Sequence, residues 1–428
     1  MTVIGGGLAG MAASLHLAKA GFTVVCIEPE AELTKVVGES LDWSAPELLR
    51  ELGLPMERLI GDGVATYKRH VTLKLGDGCN RHYVPSDWVA RPPFNVEPRT
   101  MHVDRLRLHE ALHAIVVSNE VQIVHDKVVK VEALGEWASS VTTAQGARFS
   151  SPWFIDASGA GTSLFARAFD LPIREYGPKK VAMWTYFDVP ESSEGTTLYA
   201  YGVKPHYMEW VWEIPIRSNA ISVGYVATAD AIKTKRQTGL TVEEIMKEQL
   251  GHFPRFHQLL QNTSLTSPWV TTYQCSVRSK AAGTNWIVVG EAAAMVDPMT
   301  SNGVTAALRH AEEAAVLIQK YRDQHEIPRI AAAMYSRRVS DVGRFFNSGI
   351  EKVVYDWPIR NRIGVLNAGD VYTVPAWSLN NVYSRIRPQG VISTFLFGSL
   401  LNLTRMCGEI YHRFCKWIDG SQKVTAES

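Results

Sequence analysis

The chain is poor in cysteine. Cys26, Cys79, Cys275, Cys407 and Cys415 are the only five in 428 residues, and no two form a C-x-x-C pair. This excludes a disulfide-stapled scaffold and a cysteine zinc site. No metal site is indicated, and a reducing cytoplasm is the expected compartment. An excess of one charge is also lacking. With 44 basic and 43 acidic residues the net charge is +1, which leaves no broad field for a nucleic-acid partner. No apolar run reaches the roughly 18 to 20 residues of a membrane span. The most lipid-like stretch, residues 391–403 "VISTFLFGSLLNL", is too short and is read as a buried or interface helix, so no integral membrane segment is expected. The opening "MTVIGGG" has no basic n-region and reads as the start of a strand, not as a signal peptide. Internal repeats and low-complexity linkers are absent too.

What remains is an ordinary globular composition, 46% apolar and 20% charged, in a chain long enough for two domains of roughly 150 residues or more. The opening reads strand, glycine turn, helix, strand: "TVIGGGLAG", "MAASLHLAKAG", "FTVVCIEPE". Leucines at three- and four-residue spacing predict a helix within "VDRLRLHEALHAIV". Strand-like runs follow in "VQIVHDKVVKVEAL" and "WFIDASGAG", and residues 168–275 are β-rich. "VTAALRHAEEAAVLIQKY" is helical, as is most of 325–428 apart from "NAGDVYTVPAW".

The first turn carries G-x-G-x-x-G as Gly5, Gly7 and Gly10. It follows a strand, opens a helix and precedes a second strand ending in Glu28, eighteen residues after Gly10. Glycines admit a pyrophosphate to the backbone, the helix N-terminus favours its charge, and the acid suits a ribose. This predicts a dinucleotide. Two later segments favour FAD: "WFIDASGAG", ending a strand in Asp156, and "WIVVGEAAAMVDPMTSNGVTAAL", with Gly290, Glu291, Asp297 and Gly303. Their order resembles the flavoprotein monooxygenases of the p-hydroxybenzoate hydroxylase fold. The resemblance implies an α/β chain with a Rossmann-like FAD-binding domain (1–78, 101–165 and 276–324). It also implies an inserted antiparallel β-sheet substrate domain (79–100 and 166–275) and a helical region over 325–428. The second G-x-G-x-x-G of a dedicated NAD(P)H domain is missing. Where that family has Gly-Asp, this chain has Gly290–Glu291, one methylene longer.

Within "EWVWEIPI" (209–216) strand alternation puts Trp210 and Trp212 on one face, and Pro215 suits the end of a pairing segment. On pattern alone this is a packed aromatic strand. Its company changes that reading. In order along the chain stand "GGGLAG", "VGESL" (37–41), "HVDRLRLHEAL" (102–112), "DASG" (156–159), "EWVWEIPI", "ISVGYVAT" (221–228) and "VDPMTSNGVTAAL". This series resembles the flavin-dependent halogenases, especially those acting on pyrroles and phenols, whose signature W-x-W-x-I-P is matched by residues 210–215.

The resemblance implies that reduced FAD reacts with O₂ to a flavin hydroperoxide, which chloride or bromide converts to hypohalous acid, delivered to an electron-rich arene by a lysine. Lys68, thirty residues after Gly38 and preceded by Tyr67, matches that lysine, with Lys74 less well placed. Burial would lower such a lysine's pKa and make its neutral form accessible. Ser301, Asn302 and Gly303 match a turn that lies by the flavin and can hold a halide, and Arg105 an arginine that reaches the flavin or its pyrophosphate. Thr300 stands where tryptophan halogenases have a glutamate, which points to the pyrrole or phenol type. A separate flavin reductase is the implied partner, and the arene is expected free or on a carrier protein or peptide. Two relatives remain open: a monooxygenase hydroxylating an aromatic, including a peptidyl tryptophan in tryptophylquinone biogenesis, and a geranylgeranyl-reductase-like enzyme.

Overall fold

The computed structural model describes residues 1–29, 37–75, 80–83, 99–161, 163–203, 207–262, 268–351, 355 and 391–426. Most of the segment 79–100, and the stretch "NAGDVYTVPAW", lie outside them.

Short apolar strands build a five-stranded, wholly parallel sheet in the order Trp286–Val288, Phe154–Asp156, Thr2–Ile4, Val25–Glu28, Gln122–His125. Apart from Thr2 and the terminal acids Glu28 and Asp156, the three central strands are made of Val, Ile, Phe and Cys, as expected where both sheet faces are covered. Strand order reverses beside Thr2–Ile4, since its neighbours are the second strand on one side and the fourth on the other. In doubly wound sheets a ligand crevice opens at that point, outside the carboxyl ends of the strands. Those ends are Ile4, running into the glycine turn, and Asp156, running into "ASGAG".

An eight-stranded, mostly antiparallel sheet forms the second layer. Its order is Ala294–Met295, Trp269–Arg278, Ile173–Asp188, Ala220–Thr228, Tyr207–Arg217, Gly195–Val203, His70–Leu75, Asn80–Tyr83. The strand His70–Leu75 joins it in parallel to Gly195–Val203, so the chain has crossed from one sheet to the other by residue 70. Alternation along Tyr207–Arg217 splits this strand cleanly. Met208, Trp210, Trp212, Ile214 and Ile216 belong to the core shared with the parallel sheet. Val211 faces a second core under the helices Ala229–Gln237, Val242–Leu250 and Pro254–Asn262. Register slips between Pro215 and Arg217, where the proline ends regular pairing.

The helix expected near residue 105 runs Arg105–Ser118, with Asp104 as its N-cap accepting from the Arg107 amide at 3.3 Å. Two further long helices, Gly303–Lys320 and Arg329–Gly349, close the molecule, and Val391–Ala426 packs on the latter. Among the described residues no helix is long and apolar enough to cross a membrane.

Candidate active site

The glycine turn is shaped by close approach. Gly5 has φ +96°, and a Cβ there would collide with the Ala157 carbonyl; one at Gly10 would collide with the Gly5 carbonyl. Gly7 is different, because a Cβ there would meet nothing within 4 Å. The turn therefore leaves room for a phosphate at Gly7, at the N-terminus of the helix Leu8–Lys19. Glu28, at the end of the second strand, accepts a hydrogen bond from the Gly6 amide. Asp156 is wholly buried and accepts from Ser158 Oγ and Ser163 Oγ, each at 2.6 Å. What it offers a cofactor is the path of its turn.

Arg105 carries two buried nitrogens, Nε and Nη1, with no hydrogen-bond partner. Orphaned guanidinium donors are costly unless a ligand accepts from them. Burial lowers the Arg105 pKa, opposed by Glu39, Glu291 and Tyr186. Glu291 is exposed, yet the protein packed around it pushes its pKa up, with Arg105 acting the other way. Open space at Gly7 and unpaired cationic donors at Arg105 suit a phosphate-bearing, partly anionic cofactor.

Four consecutive residues, 40–43, join the remaining parts. Backbone bonds from Leu41 N to Met101 O (3.2 Å) and from Val103 N to Glu39 O (2.8 Å) lay this segment beside the strand Thr100–Val103. That strand pairs in turn with Ala65–Lys68. Ser40 Oγ accepts from Ser301 Oγ at 3.1 Å. The Leu41 carbonyl accepts from Lys68 Nζ at 2.8 Å. Asp42 accepts from Asn302 Nδ2 at 2.8 Å and Thr305 Oγ1 at 2.6 Å. The Trp43 ring lies 5.0 Å from the Lys68 ammonium. Lys68 is 4% exposed, and burial brings its pKa down to about 7, with Asp42 acting upward. Lys74 sits elsewhere: it lies over Tyr199, on the sheet face away from the paired tryptophans.

In the turn Pro298–Gly303, Ser301 adopts φ 58° and the helix Gly303–Lys320 begins without a side-chain cap. The Asn302 side chain is 2% exposed and bound to Asp42, so only its backbone can face an anion. Left-handed Ser301 followed by an uncapped helix start is a backbone arrangement suited to a halide or a flavin carbonyl. Asp297 braces the turn from behind. It accepts from Met299 N at 3.1 Å and from the Tyr355 hydroxyl at 3.1 and 3.3 Å.

Each signature tryptophan ends in a buried carboxylate. Trp212 Nε1 donates to Ser222 Oγ at 3.1 Å, and that hydroxyl donates to Glu39 Oε1 at 3.0 Å. Burial raises the Glu39 pKa, and Arg105 acts against this. Trp210 Nε1 donates to the Tyr355 hydroxyl at 3.0 Å, which donates to Asp297. The Pro215 carbonyl accepts from Thr66 Oγ1 at 3.0 Å, two residues before Lys68. Thus the motif reaches Glu39 through Ser222, Asp297 through Tyr355, and the Lys68 strand directly at Pro215. Behind it lies Lys180, ion-paired to Glu351 and 3.4 Å from Asp297, with the Tyr355 ring 4.6 Å away. Burial alone would lower the Lys180 pKa, but Asp297, Cys275 and Glu351 raise it. Cys275, Asp297 and Glu351 bring their ligand atoms within 4.8 Å of one another, and the Lys180 ammonium is the cation among them.

Several of these residues escape a reading of the sequence. Asp42 and Trp43 adjoin the quoted "VGESL" but carry no spacing of their own. Lys180 and Tyr355 are single residues without a motif. Glu39 lies inside a quoted segment, and an acid between Gly38 and Ser40 is the one signal that could have singled it out.

A parallel sheet with its glycine turn at the switch point, an orphaned arginine, and a buried lysine tied to an anion-suited turn define an FAD-dependent oxidoreductase. Residues 1–44 match the FAD binding domain model. Residues 86–345 match the tryptophan halogenase model, and the chain belongs to that family of flavin-dependent halogenases. It is 27% identical over 400 residues to tryptophan 2-halogenase of Chondromyces crocatus, covering 85% of this chain and 72% of that protein. It is 27% identical over 340 residues to the 1H-pyrrole-2-carbonyl-[peptidyl-carrier protein] chlorinase of Pseudomonas fluorescens, covering 74% of each. The fold matches a triple mutant of the flavin-dependent brominase Bmp2 with a TM-score of 0.74 at 19% identity, over 96% of this chain and 99% of that one.

Proposed function

We propose that this enzyme halogenates an electron-rich aromatic ring, with Lys68 presenting the halogen to the substrate. The observation that carries this reading is the bridge of residues 40–43, which ties Lys68 to the Ser301–Asn302 turn by direct hydrogen bonds. FAD, reduced by a separate flavin reductase, would be held by Gly5, Gly7, Gly10, Glu28, Arg105 and the 297–303 turn. When bound it supplies the oxygen chemistry that turns halide into hypohalous acid. The backbone at Ser301, Asn302 and Gly303 would hold chloride or bromide.

Lys68, with a pKa near 7, acts at the far end. Its ammonium donates a hydrogen bond to the oxygen of hypohalous acid; its neutral amine accepts one. Either form fixes the oxidant; the ammonium, by donating to oxygen, also makes that oxygen a better leaving group, so the arene takes the halogen and its displaced proton leaves with the oxygen as water. Burial keeps bulk water from competing. The eight-stranded sheet would carry the substrate side, and the parallel sheet the cofactor.

Two relatives are named as halogenases of pyrrole-2-carbonyl groups on a peptidyl carrier protein. Together with Thr300 in place of a glutamate, this supports a carrier-bound pyrrole or a phenol as substrate. The test supplies reduced FAD, O₂ and bromide with pyrrole-2-carboxyl carrier protein, a phenol and free tryptophan. The expected product shows the paired bromine isotope pattern. A product that gains oxygen alone would overturn halogenation in favour of hydroxylation.

A further inference from the structure

The C-terminal helix Val391–Ala426 is apolar on two sides, and among the described residues only one of them meets the rest of the protein. On the inner side Leu401 is 3% exposed and packs, with Phe397, against Val296, Val342, Phe345 and Phe346. Glu409 anchors the same side, accepting from Ser348 Oγ at 3.2 Å. On the outer side Leu396, Leu400, Leu403, Ile410, Phe414 and Trp417 are 44 to 68% exposed. With the exposed, free Cys407 they fall at 396, 400, 403, 407, 410, 414 and 417. The steps alternate four, three, four, three, four, three.

That spacing is a 3.5-residue repeat held over three heptads, the pattern of a seam that pairs with another helix. We propose that this seam is a dimer interface, occupied by the same seam of a second copy of this chain. Three features select that occupant. First, none of the seven seam positions is charged, and the flanking Arg405 is already paired with Glu409 at 2.6 Å. Second, six such side chains at these exposures present on the order of 700 Å², close to the roughly 800 Å² per partner of a stable interface. Third, the stripe is symmetric in layout, with three large residues on either side of Cys407. A two-fold axis through that point brings large residues onto large residues, as an isologous contact requires. Cys407 then meets its own counterpart, whether the helices run in parallel register or antiparallel about the axis.

The test uses the full chain with FAD. Light scattering on a sizing column is expected to report twice the chain mass. Oxidation by copper–phenanthroline under air, which takes up the two electrons and two protons of two thiols, should yield a covalent dimer. A Cys407–Cys407 peptide pair should be found in its digest. Cys407→Ser should lose the covalent link and keep the doubled mass. The pair Leu403→Glu and Ile410→Glu, both solvent-facing, should halve the mass while FAD binding persists. A wild-type chain that stays monomeric overturns the proposal. So does a dimer that survives the glutamate pair, a link through another cysteine, or a monomer that cosediments with phosphatidylglycerol vesicles.

Discussion

Lys68 Nζ donates to the Leu41 carbonyl oxygen at 2.8 Å, and the next residue, Asp42, accepts from Asn302 Nδ2 at the same distance. The amine and the turn Pro298–Gly303 thus share one short segment as their scaffold. Lys68→Met should abolish halogenation, with at least a ~100-fold loss, as for removal of a group acting in the transition state. FAD affinity should stay within about threefold, because Lys68 lies outside the glycine and arginine contacts. Product yield by mass spectrometry and flavin fluorescence titration check the two halves.

The lowered Lys68 pKa also sets a stability trend. Between pH 7 and the ordinary lysine value of 10.5 the unfolded chain holds the proton and the folded chain does not. Stability from this group therefore rises with pH through that window, and the cost of burying its charge is greatest below pH 7. Lys68→Met should raise the melting temperature more at pH 6 than at pH 9. Calorimetry at both values checks it; an equal shift would mean that the amine is not desolvated.

Gly7 and Gly10 should part company on substitution. A Cβ at Gly10 collides with backbone, whereas one at Gly7 meets no protein atom within 4 Å. Gly10→Ala should lower stability and soluble yield. Gly7→Ala should fold normally and bind FAD at least ~10-fold more weakly, a loss of about 1.4 kcal/mol or more.

Arg105→Met removes the two unpaired buried donors. Charge-assisted hydrogen bonds contribute about 1.5 to 3 kcal/mol, so FAD affinity should fall roughly 10- to 100-fold. In the absence of cofactor the variant should be no less stable than the parent, which thermal melts of apoprotein would show.

Lys180→Met leaves Asp297 and Glu351 buried without their cation. Breaking a buried pair in this way costs about 3 to 5 kcal/mol. Urea denaturation should report that loss. Trp210→Phe, which removes the bond to Tyr355 and part of a buried ring, should cost at least about 1 kcal/mol.

Much of this molecule is local and so legible in the chain itself. Hydrophobic runs and a glycine turn identify the strand–turn–helix at residues 2–19. A period of two places Trp210 and Trp212 on one face, and capping chemistry at Asp104 begins the helix at Arg105. Motif order along the chain points to the halogenase family without any tertiary contact.

Other features needed the fold. Ser301 meets Ser40 across 261 residues and Asn302 meets Asp42 across 260; no periodicity encodes a pairing at such separation. Whether Lys68 was buried or solvated depended on a strand partner and on Trp43, neither of which its own neighbours announce. The free face of the last helix is a similar case. Its heptad spacing is written in the sequence, but the inner face packs against Arg329–Gly349 only in three dimensions, and only that packing leaves the seam outward. Local patterns determine elements and faces. Burial and charge state arise from what closes over them.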